Sequence, residues 1–187
     1  VPAGSPSGVR DARDIAFAAI DPPGSRDLDQ AFAAQARGDG HRVFYAIADV
    51  AALVPPGGAI DVEARERGVT LYSPDQRTSL HPERINEDAG SLLPGQDRQA
   101  LLWTIDLDGN GEIESTHLER ALVRNRAQLT YRDAQHLITT GEADESLALL
   151  RTIGQRRQSL ERERGAVSLA LPVSYTHLRA HETSETL

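Results

Sequence analysis

The order of apolar runs and turns predicts an α+β domain, with a mixed, mostly antiparallel sheet and flanking helices. Two pairs of strand-like runs are each joined by a glycine-rich turn, Ala31–Ala36 with Arg42–Val50 and Ala100–Leu107 with Glu112–Val123. Two helical segments then follow in succession, from about Thr130 to Ile138 and from about Glu142 to Glu163. No internal repeat accompanies them.

Along the chain, the Pro-, Gly- and Ser-rich opening Val1–Gly8 reads as a flexible lead-in. Asp14–Ile20 is apolar and strand-like, and Pro22-Pro23-Gly24-Ser25 is a turn, because proline presets φ and glycine tolerates what other residues cannot. The runs at 31–36 and 42–50 flank Gly38-Asp39-Gly40 and predict a hairpin. A short helix is expected over Ile60–Arg67, started by Asp61 and stopped by Gly68. Tyr72–Gly95 reads as loop, broken by Pro74, Pro82 and Pro94. Asp108-Gly109-Asn110-Gly111 turns the next strand back on itself.

Val173–Thr183 (VSYTHLRAHET) resembles the in-frame translation of a transposon-end sequencing adapter. The other reading of this tail, with His177 and His181 as i,i+4 metal ligands, requires a coincidence of eleven residues. The expected organisation is therefore a lead-in over 1–8, the front part of one catalytic domain over 9–172, and a non-native tail over 173–187. The first residue is Val1 and the sequence contains no methionine, as an internal fragment of a longer protein would.

Composition narrows the function classes. The 187 residues are 39% hydrophobic and 26% charged, ordinary for a globular chain of this length. Aromatic residues are sparse at 4%, so the core must lean on Ala, Leu, Ile and Val. No apolar run approaches the roughly 20 residues of a membrane span, so no membrane partner is expected. The absence of cysteine excludes disulfides and cysteine-based zinc sites and fits a cytoplasmic location. All twenty basic residues are arginine and the net charge is −8. That balance runs against an extended phosphate-binding face. It accords with clustered carboxylates that hold cations, and equally with surface acids. Nothing in the sequence sets an oligomeric state.

The segment richest in chemistry is Asp21-Pro22-Pro23-Gly24-Ser25-Arg26-Asp27-Leu28-Asp29-Gln30. Asp27 and Asp29 are two residues apart, so on an extended backbone they face the same way. The Pro-Gly turn can fold Asp21 back beside them. Carboxylates gathered in one pocket repel each other unless a cation lies between them. Mg²⁺ suits such oxygen donors and keeps waters free for substrate phosphate, and Mn²⁺ is an alternative. On spacing alone, a solvated acidic turn with a local Arg26 partner explains these residues as well.

The segment resembles the metal-binding signature of the RNase II (RNB) family, four aspartates in the arrangement D-x5-D-x-D-D. Asp21, Asp27 and Asp29 match the first three, and Gln30 stands where the family has the fourth. The likeness continues through Ile47-Ala48-Asp49-Val50, Asp61–Tyr72 (DVEARERGVTLY), Ser79-Leu80-His81-Pro82 to Ser91-Leu92, and Arg98–Ile113, in order and with compatible spacing. It covers about Val9 to Pro172. The resemblance implies an RNB-like fold that hydrolyses single-stranded RNA from the 3′ end to 5′-nucleoside monophosphates. It implies that Asp21, Asp27 and Asp29 hold the metal, with Asp29 the position on which catalysis depends most. Tyr72 matches an aromatic that stacks on the 3′-terminal nucleotides, although a core tyrosine at a strand end reads equally well without the family. Gln30 either ligates through its amide oxygen or orients a neighbouring group. The resemblance also implies that later parts of the domain and flanking RNA-binding domains contribute to activity, so this chain alone is expected to be inactive.

Two other readings compete. Asp106–Glu114 (DLDGNGEIE) fits the first nine positions of an EF-hand loop. It fails at the twelfth, which is His117, and its flanks read as strands, so a hairpin turn is favoured. The second competing reading is a non-catalytic RNA-binding remnant, supported by Gln30. His41, His81, His117 and His136 lack ligand spacing and read as surface or packing residues.

Overall fold

The computed structural model describes residues 8–166. The lead-in up to Ser7 and the adapter-like tail, including His177 and His181, lie outside the described residues. Eight strands and three α-helices are present among them: β1 (Arg10–Asp11), β2 (Phe17–Ile20), β3 (Gln30–Arg37), β4 (Gly40–Ala48), α1 (Ala59–Arg67), β5 (Leu71–Tyr72), β6 (Arg77–Thr78), β7 (Asp97–Leu107), β8 (Ile113–Leu129), α2 (Tyr131–Thr140) and α3 (Glu145–Glu163). The α+β class and the mainly antiparallel sheet stand as expected.

The long strand β8 determines the architecture. Along one edge it runs antiparallel to β7, from Asp97↔Arg124 to Leu107↔Ile113. Its last residues run parallel to β2, from Phe17↔Asn125 to Ile20↔Leu129. The hairpin β3–β4 joins β2 at Ala18↔Phe32 and β7 along His41↔Leu107 to Ala48↔Ala100. The sheet therefore closes on itself, which leaves fewer exposed edges.

The interior of this ring explains the composition. Eight of its fourteen buried residues are alanine, so the strands curl tightly around a few large side chains such as Phe17, Leu28, Phe44, Leu92 and Leu102. Residues that alternate with these along the strands point outward. Near the β7–β8 turn, α3 covers that outer face, with Ile153 and Leu149 packed on Ala34, Val43, Ile105 and Leu107. Ser146 accepts a hydrogen bond from the Ala34 N–H at 2.8 Å and fixes the helix start. Gly40 is required at the tip, since a Cβ there would lie 2.0 Å from the Leu107 carbonyl oxygen.

Several boundaries differ from the sequence reading. The strand expected from Asp14 begins only at Phe17, because Asp14 and Ile15 belong to a turn closed by the Ile15 N–H donating to Ala12 at 3.3 Å. The first hairpin turns on two residues, Gly38 and Asp39, and Gly40 already pairs with Arg37. Helix α1 is capped by Gly58, while Asp61 lies in its first turn and accepts from the Gly57 N–H at 2.8 Å. Within the loop-rich stretch 72–95, β5 and β6 form a small hairpin with Tyr72 opposite Arg77, and Ile85–Ala89 winds into a π-helical turn. Strand β8 continues six residues past Val123. Helix α2 starts at a Thr130–Asp133 capping box and α3 at Asp144, the oxygen-bearing residues that helix starts favour. Among the described residues no helix is long and apolar enough to cross a membrane.

Candidate metal and nucleic-acid site

The segment from Asp21 to Gln30 connects β2 to β3, and its path is held by hydrogen bonds from three directions. The Asp21 N–H donates to Leu129 at 3.0 Å, continuing the β2–β8 pairing. Gln128 Nε2 donates to the Ser25 carbonyl at 2.9 Å and holds the Pro22–Ser25 turn. Ser91 then clamps the far side: its hydroxyl accepts from the Leu28 N–H at 2.9 Å and donates to the Arg26 carbonyl at 2.6 Å. The Leu92 N–H donates to the Leu28 carbonyl at 2.9 Å. Leu28 is fully buried in the ring interior, so Asp27 and Asp29 on either side of it face away from that core.

Asp21, Asp27, Asp29 and Gln30 consequently line one cleft of about 590 Å³, together with Ser25, Phe32, Tyr45, Arg77 and Tyr131. Its electrostatics are those of crowded acids. Asp29 keeps access to solvent, yet the cleft walls displace water around it and raise its pKa, and the charges of Asp27 and Asp21 raise it further. Asp21 is raised first by burial and then by Asp27, against a lowering hydrogen bond from Ser25. Asp27 has a cationic partner: Arg77 Nη1 donates to its Oδ2 at 3.1 Å.

Gln30 is occupied as well. The Tyr45 hydroxyl donates to its amide oxygen, the atom that ligation would use. Tyr72 is not among the cleft-lining residues; it stands 77% exposed on β5, paired with Arg77, whose guanidinium does enter the cleft. Among the described residues no group of three or more His, Cys, Asp or Glu side chains is gathered closely enough to hold a metal ion. The donor chemistry fits a hard cation, since three carboxylates share the cleft, and burial together with the charge of Asp27 raises the pKa of both Asp21 and Asp29. Their arrangement is open, with Asp27 turned to a guanidinium.

Sequence reasoning missed Arg77, Tyr45, Phe32 and Tyr131. Tyr45 and Phe32 carry a signal in retrospect, because the register pairs them directly and alternation puts them outside the ring beside Gln30. Tyr131 follows from the helix start at Thr130, where the first helical residue returns to the end of β2–β8. Arg77 carries no such signal, since its position depends on a hairpin inside a segment that reads as loop.

The RNB domain family matches residues 9–186. The chain belongs to the RNB family. It is 32% identical to the mouse exosome complex exonuclease RRP44 over 181 residues, 94% of this chain and 18% of that protein. It is 38% identical over 138 residues, 72% of this chain and 13% of the relative, to a protein of Arabidopsis thaliana named inactive exonuclease DIS3L2. Among solved structures, RNase R of Mycoplasma genitalium in complex with ribose-methylated single-stranded RNA superposes with a TM-score of 0.81 at 26% identity, over 89% of this chain and 27% of that one. The chain thus spans less than a fifth of these two curated relatives. RNB relatives with exonuclease names and one named inactive are both present at this level of identity.

Proposed function

We propose that this RNB chain carries the metal-binding carboxylates of a 3′→5′ exoribonuclease that hydrolyses single-stranded RNA to 5′-nucleoside monophosphates. The observation that supports it is the convergence of Asp21, Asp27 and Asp29 on one cleft, where burial and then the charges of Asp27 and Asp21 raise the pKa of Asp29. Acids placed so that they repel are unfavourable without a counter-cation.

Mg²⁺ is the cation proposed, with Mn²⁺ as a substitute, held by Asp21, Asp27 and Asp29. When bound, it supplies Lewis-acid polarisation of the phosphodiester and acidifies water for attack. The chain's own groups do the rest. Asp29 is the acid that depends most on the cation. Gln30, whose oxygen accepts from Tyr45, is proposed to act by orienting its neighbours, because that oxygen is already in use. Tyr131 and Tyr72, 64% and 77% exposed, offer ring faces to bases without sequence preference, each worth about 1–3 kcal/mol when stacked. The chain spans a minority of its relatives, so the proposal assigns it part of the catalytic apparatus and expects no turnover from it alone. Cytoplasmic RNA turnover is the proposed setting.

A second reading is a pseudonuclease that binds RNA without cutting it. Gln30 in the aspartate series and the pairing of Asp27 with Arg77 favour it. The two separate in one assay on the complete protein, using 5′-labelled single-stranded RNA and Mg²⁺ with or without chelator. A chelator-sensitive ladder shortening from the 3′ end supports the exoribonuclease. Intact RNA, bound by a folded protein, supports the pseudonuclease.

A further inference from the structure

Arg77 stands in the wall between two clefts. It lines the carboxylate cleft and also the adjoining cleft of about 500 Å³ bounded by Glu63, Arg67, His81 and Glu87. Its guanidinium is shared: Nη1 donates to Asp27 Oδ2 at 3.1 Å, and Nη2 donates to Glu87. Asp27 comes from the turn before β3, Arg77 from β6 and Glu87 from the π-helical turn at Ile85–Ala89, so three separate segments meet at one charge. The side chains of Arg77 and Asp27 are both 36% exposed, whereas Glu87 is more enclosed at 17%.

We propose that Arg77 is a built-in counter-cation that holds Asp27 while no divalent ion is bound and gives it up when one arrives, remaining on Glu87. This rests on the reading of Asp21, Asp27 and Asp29 as cation holders. Guanidinium stays charged at every pH the fold survives, so it neutralises Asp27 constantly, unlike a histidine or a lysine of shifted pKa. A singly bonded, half-exposed ion pair adds little stability, and a dication outweighs one positive charge in the same carboxylates. Glu87 gives the displaced guanidinium a partner, so the exchange loses one hydrogen bond and strands no charge. Arg77 thereby sets how readily the cleft takes its ion, at the cost of competing with it.

A purely structural Arg77, one that only fastens the β5–β6 hairpin to the Asp21–Gln30 segment, makes a different prediction. Loss of either Arg77 or Glu87 would then loosen the cleft and weaken cation binding alike. The exchange role gives the two substitutions opposite signs. Arg77→Gln removes the competitor, and Glu87→Gln removes the partner that draws the guanidinium off Asp27.

The test is direct Mn²⁺ binding to the full 187-residue chain, read from the electron paramagnetic resonance signal of the free ion. Circular dichroism verifies that each variant is folded. Arg77→Gln is expected to bind Mn²⁺ about tenfold more tightly than the unaltered chain, the scale of removing one unit charge beside a dication. Glu87→Gln is expected to bind about threefold more weakly, and Arg77→Lys, which keeps the charge, to stay near the unaltered chain. Equal or weaker binding by a folded Arg77→Gln overturns the proposal. Should Arg77→Gln not fold, unchanged or tighter binding by Glu87→Gln overturns it. Failure of the folded, unaltered chain to take up any Mn²⁺, with all variants equally silent, overturns the cation-site reading and this inference with it.

Discussion

Two aspartate-rich segments of this chain look alike in sequence and are opposites in structure. In Asp106–Glu114, each acid that matters has a fixed donor. Arg42 grips Asp106 with both arms, Nε to Oδ1 at 2.6 Å and Nη2 to Oδ2 at 2.8 Å, and Ser115 donates to Oδ2 at 3.1 Å. Asp108 accepts from the N–H groups of Asn110 and Glu112 at 2.9 and 2.8 Å, closing the β7–β8 turn. The calcium-loop reading therefore has no free acids to work with, and both flanks are strands. In Asp21–Gln30 the acids face one another across a cleft, and only Asp27 has an arginine. The pKa directions record the contrast: the Arg42 hydrogen bonds hold Asp106 down at about 2, whereas burial and neighbouring charge push Asp29 and Asp21 up. Acidic patterning thus separates into structure and chemistry according to whether donors or other acids complete it.

The sharpest way to break this comparison is to neutralise one acid on each side. In the complete protein, Asp29→Asn is expected to lower RNA hydrolysis by more than the roughly 10–100-fold typical of groups that only orient metal ligands, with the fold intact. Labelled RNA measures it, and a folded variant that still hydrolyses at a comparable rate removes Asp29 from the site. Asp106→Ala should leave the cation response in place and instead destabilise the chain by about 1–3 kcal/mol, because Arg42 and Ser115 lose their acceptor. Urea unfolding reads that difference.

Acid pH sharpens the comparison with smaller effects of opposite sign. Asp106 has a folded pKa below its ordinary 3.8, so its contribution is complete above 3.8 and is lost as pH falls through about 2. Asp29 is raised in the fold, so the folded state holds its proton more tightly than the unfolded chain does. Ionising it opposes folding once pH has risen through the carboxylate range, and that opposition persists at neutral pH. Asp29→Asn is accordingly expected to raise the neutral-pH Tm in the absence of divalent cation, with the gain vanishing below about pH 3.8, where Asp29 is protonated in both states. An unchanged Tm difference across that range contradicts the sign. The smallest effect concerns calcium: Asp108→Asn should leave any response of Tm to Ca²⁺ as it was, since Asp108 already closes the turn with both N–H groups.

Much of this fold was legible because its strands announce themselves by composition and its turns by glycine. Ala31–Ala36 and Arg42–Val50 fall on β3 and β4 within a few residues, and Ala100–Leu107 lies inside β7. The end of β8 was not legible, since Arg124–Leu129 opens with three consecutive polar residues and its partner, β2, lies over a hundred positions earlier. Ring closure depends on that same pairing and escaped for the same reason. In the site, the alternation of Asp27 and Asp29 about Leu28 was readable from spacing. What Leu28 anchors to was not, because Ser91 and Leu92 are distant in sequence. The partners that redirect two of the site residues, Tyr45 on Gln30 and Arg77 on Asp27, arise from strand register and from a hairpin in a proline-punctuated segment. Neither follows from local pattern.

The central claim is that the acids of Asp21–Gln30 gather to hold a cation while those of Asp106–Glu114 hold the fold. Thermal unfolding with and without Mg²⁺ on the unaltered chain, Asp29→Asn and Asp106→Asn tests both halves at once. Mg²⁺ is expected to raise Tm in the unaltered chain and in Asp106→Asn, which starts lower, and to leave Asp29→Asn unmoved. An equal rise in Asp29→Asn, or a rise lost only in Asp106→Asn, would contradict the account.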